Sequence, residues 1–379
     1  LSLGTGQRSV GSDWAGAAFS PAEQFAGQPA GELYRALTGF EPDAQVVHLG
    51  INQLAALSPV PPGRLGAALR EADIPVAVYG NADGRSGPGR FGVLVAMDGL
   101  GRVPVGEVGA SVLTHDKDWP FLSRTDYDAV LELAVGQRGG GGLVVIELGD
   151  LARLESAADL VTADRLAALH RVTLERIGRF VERLAAAVSD TSAWLLLAVP
   201  FPAASEAPAG FLMTPVILAP LGESQPLQAP ALLTSATTRR AGIVANLDIL
   251  PTVLNFFGLD AAEASGHVID FVSHPDPWRT IQAMYARITR VHMQRLPLIQ
   301  PYFFVQLAAV LVSTAAVAGL APLQPWKGRA RTALLLLHLG LIAFPLTLLV
   351  LPLFSVPDNL IMLWAQVVLL TASLAFAAW

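Results

Sequence analysis

Three long uncharged runs close the chain, and no other feature narrows its possible folds as much. Residues 296–326, 332–357 and 359–379 contain no Asp, Glu, Lys or Arg. Each exceeds the roughly 20 residues that a helix needs to cross the hydrocarbon core of a bilayer. Three such runs in succession argue for membrane spans over buried core helices, and the spans are expected at about 302–322, 332–352 and 359–379. Pro345 and Pro352 are expected to kink or end the second span. Tyr302, Trp326, Trp364 and Trp379 fall where interfacial anchors belong. Just upstream, Trp278–Arg295 mixes Arg279, Arg287, Arg290 and Arg295 with Ile281, Met284, Tyr285, Ile288 and Val291. That is the pattern of an amphipathic helix lying against headgroups. The expected organisation is a globular domain over 1–275, an interfacial helix over 276–295 and a membrane domain over 296–379.

Charge separates the same way. The whole chain carries −6, and the charged residues after Leu296 are Lys327, Arg329, Arg331 and Asp358, so −8 falls on residues 1–295. A mildly acidic globular part excludes a nucleic-acid partner, which would require a basic face. By the positive-inside tendency, Lys327, Arg329 and Arg331 put the first inter-helix loop in the cytoplasm and the large domain outside. Arg287, Arg290 and Arg295 argue the reverse; the expectation adopted is an extracytoplasmic domain. With 0 Cys, disulfides, thiolate metal sites and a Cys nucleophile are excluded. Leu1 opens without Met and Trp379 lies inside an apolar run, so a longer reading frame is expected on both sides.

The globular part alternates strand and helix. Residues 1–40 show helix signals: Ser20-Pro21-Ala22-Glu23 has the spacing of a capping box, and Glu32–Leu37 stops at Gly39. Val46–Leu49, Ile74–Tyr79, Leu143–Leu148, Trp194–Val199 and Val216–Ala219 read as strands. Helices are expected through Leu54–Leu57, Leu65–Ala72 and Asp126–Val135. Phe91–Met97 and Arg102–Val108 are expected to pair as a hairpin. Asp164–Val188 is the clearest amphipathic helix, with Leu166, Leu169, Ile177, Val181, Leu184 and Val188 on one face. Arg171, Glu175, Arg179 and Arg183 mark the other face, where Glu175 and Arg179 are spaced to pair. Such alternation implies an α/β fold, a mostly parallel sheet with helices on both faces, followed by transmembrane α-helices.

The most informative stretch lies late. Asp248 is expected to cap a helix through its first-turn amides. Pro251 falls in that first turn, and Gly258 sits where a left-handed stop is wanted, with Leu259 as its apolar partner. Ile249, Val253, Phe256 and Phe257 form the expected buried face. Gly242-Ile243-Val244, then Asp248-Ile249-Leu250-Pro251-Thr252-Val253-Leu254 and Gly258-Leu259, resemble the late core segment of the alkaline phosphatase superfamily, which includes sulfatases and cofactor-independent phosphoglycerate mutases. The resemblance is strongest over 230–260, looser over 45–200 and absent over 296–379. It implies a membrane-anchored, sulfatase-like domain of the cell envelope.

Hydrolysis in that superfamily requires an early metal-binding Asp, a Ser or Thr nucleophile, a late Asp-His-Gly and a further His, two divalent ions clamping the attacking and leaving oxygens. The early pair would precede Leu1. At the late triplet this chain has Val199-Pro200-Phe201-Pro202, and before Gly242 it has Thr234-Ser235-Ala236-Thr237-Thr238-Arg239-Arg240. The resemblance therefore implies a degenerate member that binds or scaffolds at the membrane surface. Its alternative is a phospho- or sulfo-ester hydrolase or transferase using Zn, Mn or Mg on lipid-linked or envelope substrates, with its nucleophile upstream of Leu1. Partners follow: the lipid bilayer, and an anionic or lipid-linked envelope substrate.

The residues themselves offer a few sites. Asn81 and Asp83 follow one strand, Glu147 and Asp150 end another, and open α/β sheets place ligands at such ends. With Asp98 these carboxylates could form a rim for a hard cation; the competing reading makes Asp83 and Asp150 caps of turns and helices. Asp83, Asp150 and His267 are the candidate metal ligands. Thr238, Arg239 and Arg240 join an Arg pair to a Thr-rich turn, which suits phosphate. Arg85 and Arg90 read as solvated loop charge, His115–Asp118 as a solvated loop, His48 as a satisfied core residue and His170 as helix surface. Gly139–Gly142 precedes a strand and reads as a linker, and Gly4-Thr5-Gly6 lacks the context of a phosphate cradle.

Overall fold

The computed structural model describes residues 1–85, 87–136, 141–203, 213–224, 227, 229–261, 263–318, 327–354, 357 and 359–378. The chain forms two compact units, Leu1–Trp278 and Arg279–Trp379.

The first unit is mixed α/β. Its centre is a three-stranded parallel sheet in which Val76–Asn81 lies between Leu143–Leu148 and Val105–Glu107. Val76–Asn81 is buried along its whole length, as a strand covered on both faces should be, whereas Leu143–Leu148 is an edge strand that is only partly buried and leaves Val144 exposed, so the expected double cover is not met there. Register pairs Glu147 with Gly80 and Leu148 with Asn81, so both strands end at the same edge. Helix Ala163–Ala187 covers one side: Phe180 is buried, and Ile177, Val181 and Leu184 pack against Ala77 and Tyr79. Leu65, Leu69, Val93, Leu94, Leu250 and Leu254 fill the other side around Val76 and Val78. The remaining strands pair antiparallel, among them Ser192–Ala198 with Val216–Gly222 and Ala231–Thr234 with Asp270–Ser273.

Several local expectations give way to long-range partners. Phe91–Met97 makes no hairpin: Val93–Ala96 is a short helix, while Arg102–Val103 pairs with Val46–His48 and Val105–Glu107 joins the parallel sheet. Ser20–Glu23 starts no helix. The Glu23 carboxylate does accept from the Ser20 amide at 3.3 Å, half of a capping box, but it also takes the Arg90 guanidinium at 2.6 Å. The chain then turns through Ala26-Gly27, both at positive φ, into the strand pair Gln24–Phe25 and Gln28–Pro29. Helix Ala30–Thr38 stops at Gly39 as expected. Arg179 donates to the Glu175 backbone carbonyl at 3.4 Å, so the expected ion pair is not made.

Helix Ile249–Phe256 has Pro251 in its first turn, and Gly258 follows at φ +69 with the Leu259 amide bonded to the Leu254 carbonyl at 3.0 Å. Its buried face is Ile249, Leu250, Val253 and Leu254. Phe256 lies outside that face and stacks on Trp194 at 5.1 Å.

Residues 277–317, nearly all of them in the second unit, are one continuous helix that includes both Pro297 and Pro301, so the expected interfacial segment and first span are a single element. Helices Lys327–Val350 and Leu360–Ala378 follow. Pro277–Val317 and Arg331–Val350 are long and apolar enough to cross a membrane, with mean hydropathy 1.6 and 2.4. Only 11% and 17% of their most apolar windows are buried, whereas the core helix of a soluble protein would be mostly covered. The third run is apolar over Leu360–Phe376 but shorter. Leu298, Phe344, Leu351, Leu363 and Val367 form this unit's core. Tyr302 stacks on Phe344 at 4.4 Å and donates to the Leu341 carbonyl, so it serves packing between helices. Trp326, Trp379, Asp358, Gly139 and Gly140 lie outside the described residues, as do the chain between the first two helices and the Pro352 side chain.

Two glycines test this frame. Gly80 sits at φ +90, and a Cβ there would lie 2.1 Å from the Glu147 carbonyl oxygen, whereas Gly258 has open space around it. Gly258→Ala should therefore cost only the left-handed backbone penalty, about 1 kcal/mol. Gly80→Ala should cost several times more, because it also pries apart the two parallel strands. Thermal unfolding of the two variants checks the order.

Candidate functional site

Two polar clusters emerge, and the sequence-level candidates divide between them. The first lies where the parallel strands end. Asp150, fully buried, opens the helix Asp150–Ser156 directly after the Leu143–Leu148 strand. Its Oδ1 accepts from the Thr125 amide at 2.8 Å and from the Arg153 guanidinium at 2.9 Å, and its Oδ2 accepts from the Tyr127 hydroxyl at 2.8 Å. Burial and the neighbouring Asp150 charge both raise the Tyr127 pKa, keeping that hydroxyl a donor. Arg153, 1% exposed, also donates to Thr125 Oγ1 at 2.7 Å and to the Asn81 carbonyl and Oδ1 at 3.1 and 3.2 Å. The Asn81 amide nitrogen holds the Val108 and Gly109 carbonyls at 2.8 and 3.0 Å.

Asp83 stands beside this network and is equally committed. It accepts from the Gly89 amide at 2.9 Å and from Arg90 at 2.9 and 3.1 Å. Arg90 is no solvated loop charge: it is 4% exposed, grips Glu23 as well and lies over the Phe19 ring at 4.8 Å. Burial opposes its charge, but the hydrogen bonds and charges of Glu23 and Asp83 outweigh that and raise its pKa. Arg85 pairs with Asp159 at the surface. Asp98, expected on the same rim, pairs instead with Arg70 and Arg102.

Glu147 is the carboxyl at this edge whose ionisation is most clearly opposed. Desolvation pushes its carboxyl up to about 8, assisted by the Asp83 charge and opposed by the Gly92 and Phe91 amides and by Arg153. Its Oε2 accepts from the Gly92 amide at 2.9 Å. His48 is a satisfied core residue as expected. It receives the Gly50 amide at Nδ1 and bonds the Ala15 carbonyl through Nε2, and burial lowers its pKa to about 4.

The second cluster surrounds Asp248. Its carboxylate does not cap the following helix, which has no side-chain cap. It turns back to accept the Ala245 amide and Ser235 hydroxyl, both at 2.7 Å, the Thr237 hydroxyl at 2.5 Å and the His267 amide at 3.0 Å. Four donors leave no first-turn amide to serve. His267 belongs here, its Nδ1 3.1 Å from Thr237 Oγ1. Thr238 closes the turn onto the Ile243 carbonyl at 2.5 Å, and Arg239 and Arg240 are exposed beside it.

The structure thus brings Asn81, Asp83, Glu147 and Asp150 to one sheet edge and gathers Thr238, Arg239, Arg240 and His267 at another place. The donor set does not suit a divalent ion. The carboxylates of Asp83 and Asp150 are bonded to buried guanidinia, His267 is in the other cluster, and no group of three or more His, Asp or Glu that could hold a metal occurs among the described residues. After the strand Ser192–Ala198, the Pro200 carbonyl accepts from Asn246, and Phe201 packs edge-on against Phe91 at 5.6 Å. The sequence reading missed Arg153, Thr125, Tyr127, Ser235 and Thr237. Of these only Arg153, three residues after Asp150 in a helix, left a readable spacing. Comparison with protein-family models, curated proteins and solved structures finds no match.

Removing one partner of a buried ion pair strands the other, so Arg153→Met should destabilise the domain by about 3–5 kcal/mol. Adding Asp150→Asn should recover part of the loss in a double-mutant cycle read by unfolding. Glu147 gives a pH test. Its folded pKa lies above the ordinary 4.5, so its contribution is full below 4.5 and is lost as pH rises through about 8. Glu147→Gln should flatten the fall in melting temperature across that window.

Proposed function

We propose that this chain is a membrane-anchored, alkaline phosphatase-like α/β domain that binds an anionic or lipid-linked envelope partner at the bilayer surface and carries out no metal-dependent hydrolysis. One observation carries the reading: the carboxylates at the sheet edge are already consumed by buried arginines. Asp83 and Asp150 accept guanidinium hydrogen bonds at 2.9 Å each, from side chains that are 4% and 1% exposed. A cation could bind there only by displacing a buried guanidinium, which would then lie uncompensated in low dielectric. The two long apolar helices support the anchor. The resemblance over residues 230–260 supports the ancestry of the scaffold, with Phe201 and a Thr–Arg turn standing where the ligands would be.

The competing reading, a Zn-, Mn- or Mg-dependent phospho- or sulfo-ester hydrolase, gives opposite results in one assay. The full chain in liposomes should leave p-nitrophenyl phosphate, bis-p-nitrophenyl phosphate and p-nitrophenyl sulfate intact with each metal added. Metal-dependent turnover that disappears in Asp83→Ala would establish the hydrolase instead. Topology has its own test, because a chain with 0 Cys accepts single labels cleanly. Glu71→Cys should react with an impermeant maleimide from outside the cell and Arg329→Cys only after permeabilisation; the reverse pattern would place the large domain in the cytoplasm.

A further inference from the structure

We infer that the turn Ser235–Arg240 together with His267 is a binding site for a phosphate monoester, held rigid by Asp248 and working without metal. The inference rests on the binding role proposed above and names its site and ligand chemistry. Thr237 stands three residues after the strand Ala231–Thr234, and His267 three before its partner Asp270–Ser273. Register pairs Thr234 with Asp270, so both residues emerge at the same end of the strand pair, and they touch at 3.1 Å.

The proton positions follow from the donors available. Asp248 offers only acceptors, so the Thr237 hydroxyl, 2.5 Å away, donates to it. Thr237 Oγ1 then presents lone pairs to His267, and Nδ1 of the ring is the donor at 3.1 Å. In the neutral ring this leaves Nε2 as an acceptor, and it has no partner among the described residues. A buried carboxylate, acting through Thr237, thus fixes the tautomer of an exposed imidazole, as a second partner commonly does for functional histidines.

Two cations, Arg239 and Arg240, follow Thr237 by two and three residues in the same turn. Arg239 and Arg240 are exposed, and neither guanidinium has a hydrogen bond or ion pair among the described residues. Many arginines of the same unit are engaged, including Arg64, Arg90, Arg124, Arg153 and Arg183. Asp270, exposed, is the nearest acidic residue on the strand pair, and Asp248 is already saturated. Arg239 is also strained: its φ is +53, a conformation that glycine holds at lower cost. The turn is locked there by the Arg239 amide on the Ser235 carbonyl at 2.9 Å and the Gly242 amide on the Leu233 carbonyl at 2.7 Å. Observed strain at an exposed charged residue is the direction in which structure argues for use.

Two guanidinia and one ring nitrogen able to take or give a proton select the ligand. A phosphate monoester has a second ionisation near pH 6, so near neutrality part of it carries a proton that it can donate to the Nε2 acceptor while its other oxygens take the arginines. A sulfate monoester has no such proton to share. The site therefore prefers phosphate, whether presented by a soluble ester or by a lipid headgroup.

Titration calorimetry of the full chain in neutral-lipid nanodiscs, with no metal present, tests this. Glycerol 1-phosphate should bind and glycerol should not, with methyl sulfate weaker than the phosphate. Binding to nanodiscs containing phosphatidic acid, competed by glycerol 1-phosphate, would add a headgroup as source; absence of that competition leaves the soluble ester. Arg239→Gly and Arg240→Gln should each weaken phosphate about tenfold. The melting temperature of Arg239→Gly should stay level or rise, which a merely structural arginine would not allow. His267→Gln should erase the preference over methyl sulfate. Unchanged affinity in both arginine variants, or no phosphate binding at all, removes this site while leaving the non-hydrolytic reading in place. Metal-dependent hydrolysis would remove that reading whatever the titration gives.

Discussion

A buried arginine governs the sheet edge of this protein. Arg153 places a full positive charge where 1% of the residue meets solvent, and such a charge is tolerable only when every donor finds an acceptor. The surrounding chain supplies them: the Asp150 carboxylate, the Thr125 hydroxyl, and the carbonyls of Asn81 and Asp83. These acceptors come from three separate parts of the sequence, so the guanidinium fixes their mutual positions. The end of Val76–Asn81, the start of Asp150–Ser156 and the strand Ser123–Thr125 are tied to one point. The magnitudes favour a role in specifying this arrangement over one in net stability, since a buried pair gains little over an apolar replacement while breaking it costs about 3–5 kcal/mol.

Arg90 repeats the arrangement one layer out, bridging Glu23 and Asp83. Together the two arginines neutralise the charge that a metal-dependent edge would need for its cation. Arg239 and Arg240, on the Thr–Arg turn near Asp248, are exposed and make no ion pair among the described residues. Arg90 and Arg153 thus organise the fold from buried positions, while Arg239 and Arg240 stand exposed.

Much of the fold was legible because it depends on neighbours in sequence. The run Val76–Val78 declares a doubly covered strand, Leu143–Leu148 was legible as a strand though not as the half-exposed edge it forms, the spacing of Ile177, Val181 and Leu184 declares a helix face, and Pro251 with Gly258 brackets the late helix. What was not legible depends on partners far away. Glu23 lies 67 residues from Arg90, and that contact turns a capping-box pattern into a salt-bridge anchor. Asp248 meets Thr237 and His267 across 11 and 19 residues, so its carboxylate faces backward and away from the helix it precedes. Arg102–Glu107 looked like one strand and is split at Pro104 between two sheets, a break that proline's missing donor makes natural. Of the site residues, the types were readable and the grouping was not: His267 was expected with Asp83 and Asp150, and the strand pair Ala231–Thr234 and Asp270–Ser273 puts it at the Thr–Arg turn instead.

The connection out of that strand pair has a kinetic consequence. Only His274, Pro275 and Asp276 separate Ser273 from the helix that begins at Pro277, and three residues reach at most about 10 Å. The helix itself, at 41 residues, is about 60 Å long, roughly twice the thickness of a bilayer core. A strand pair joined so briefly to such a helix stays within about 10 Å of the helix's first residue, Pro277. Motion of the pair relative to that residue is therefore confined to a small volume and is as fast as the closing of a short loop.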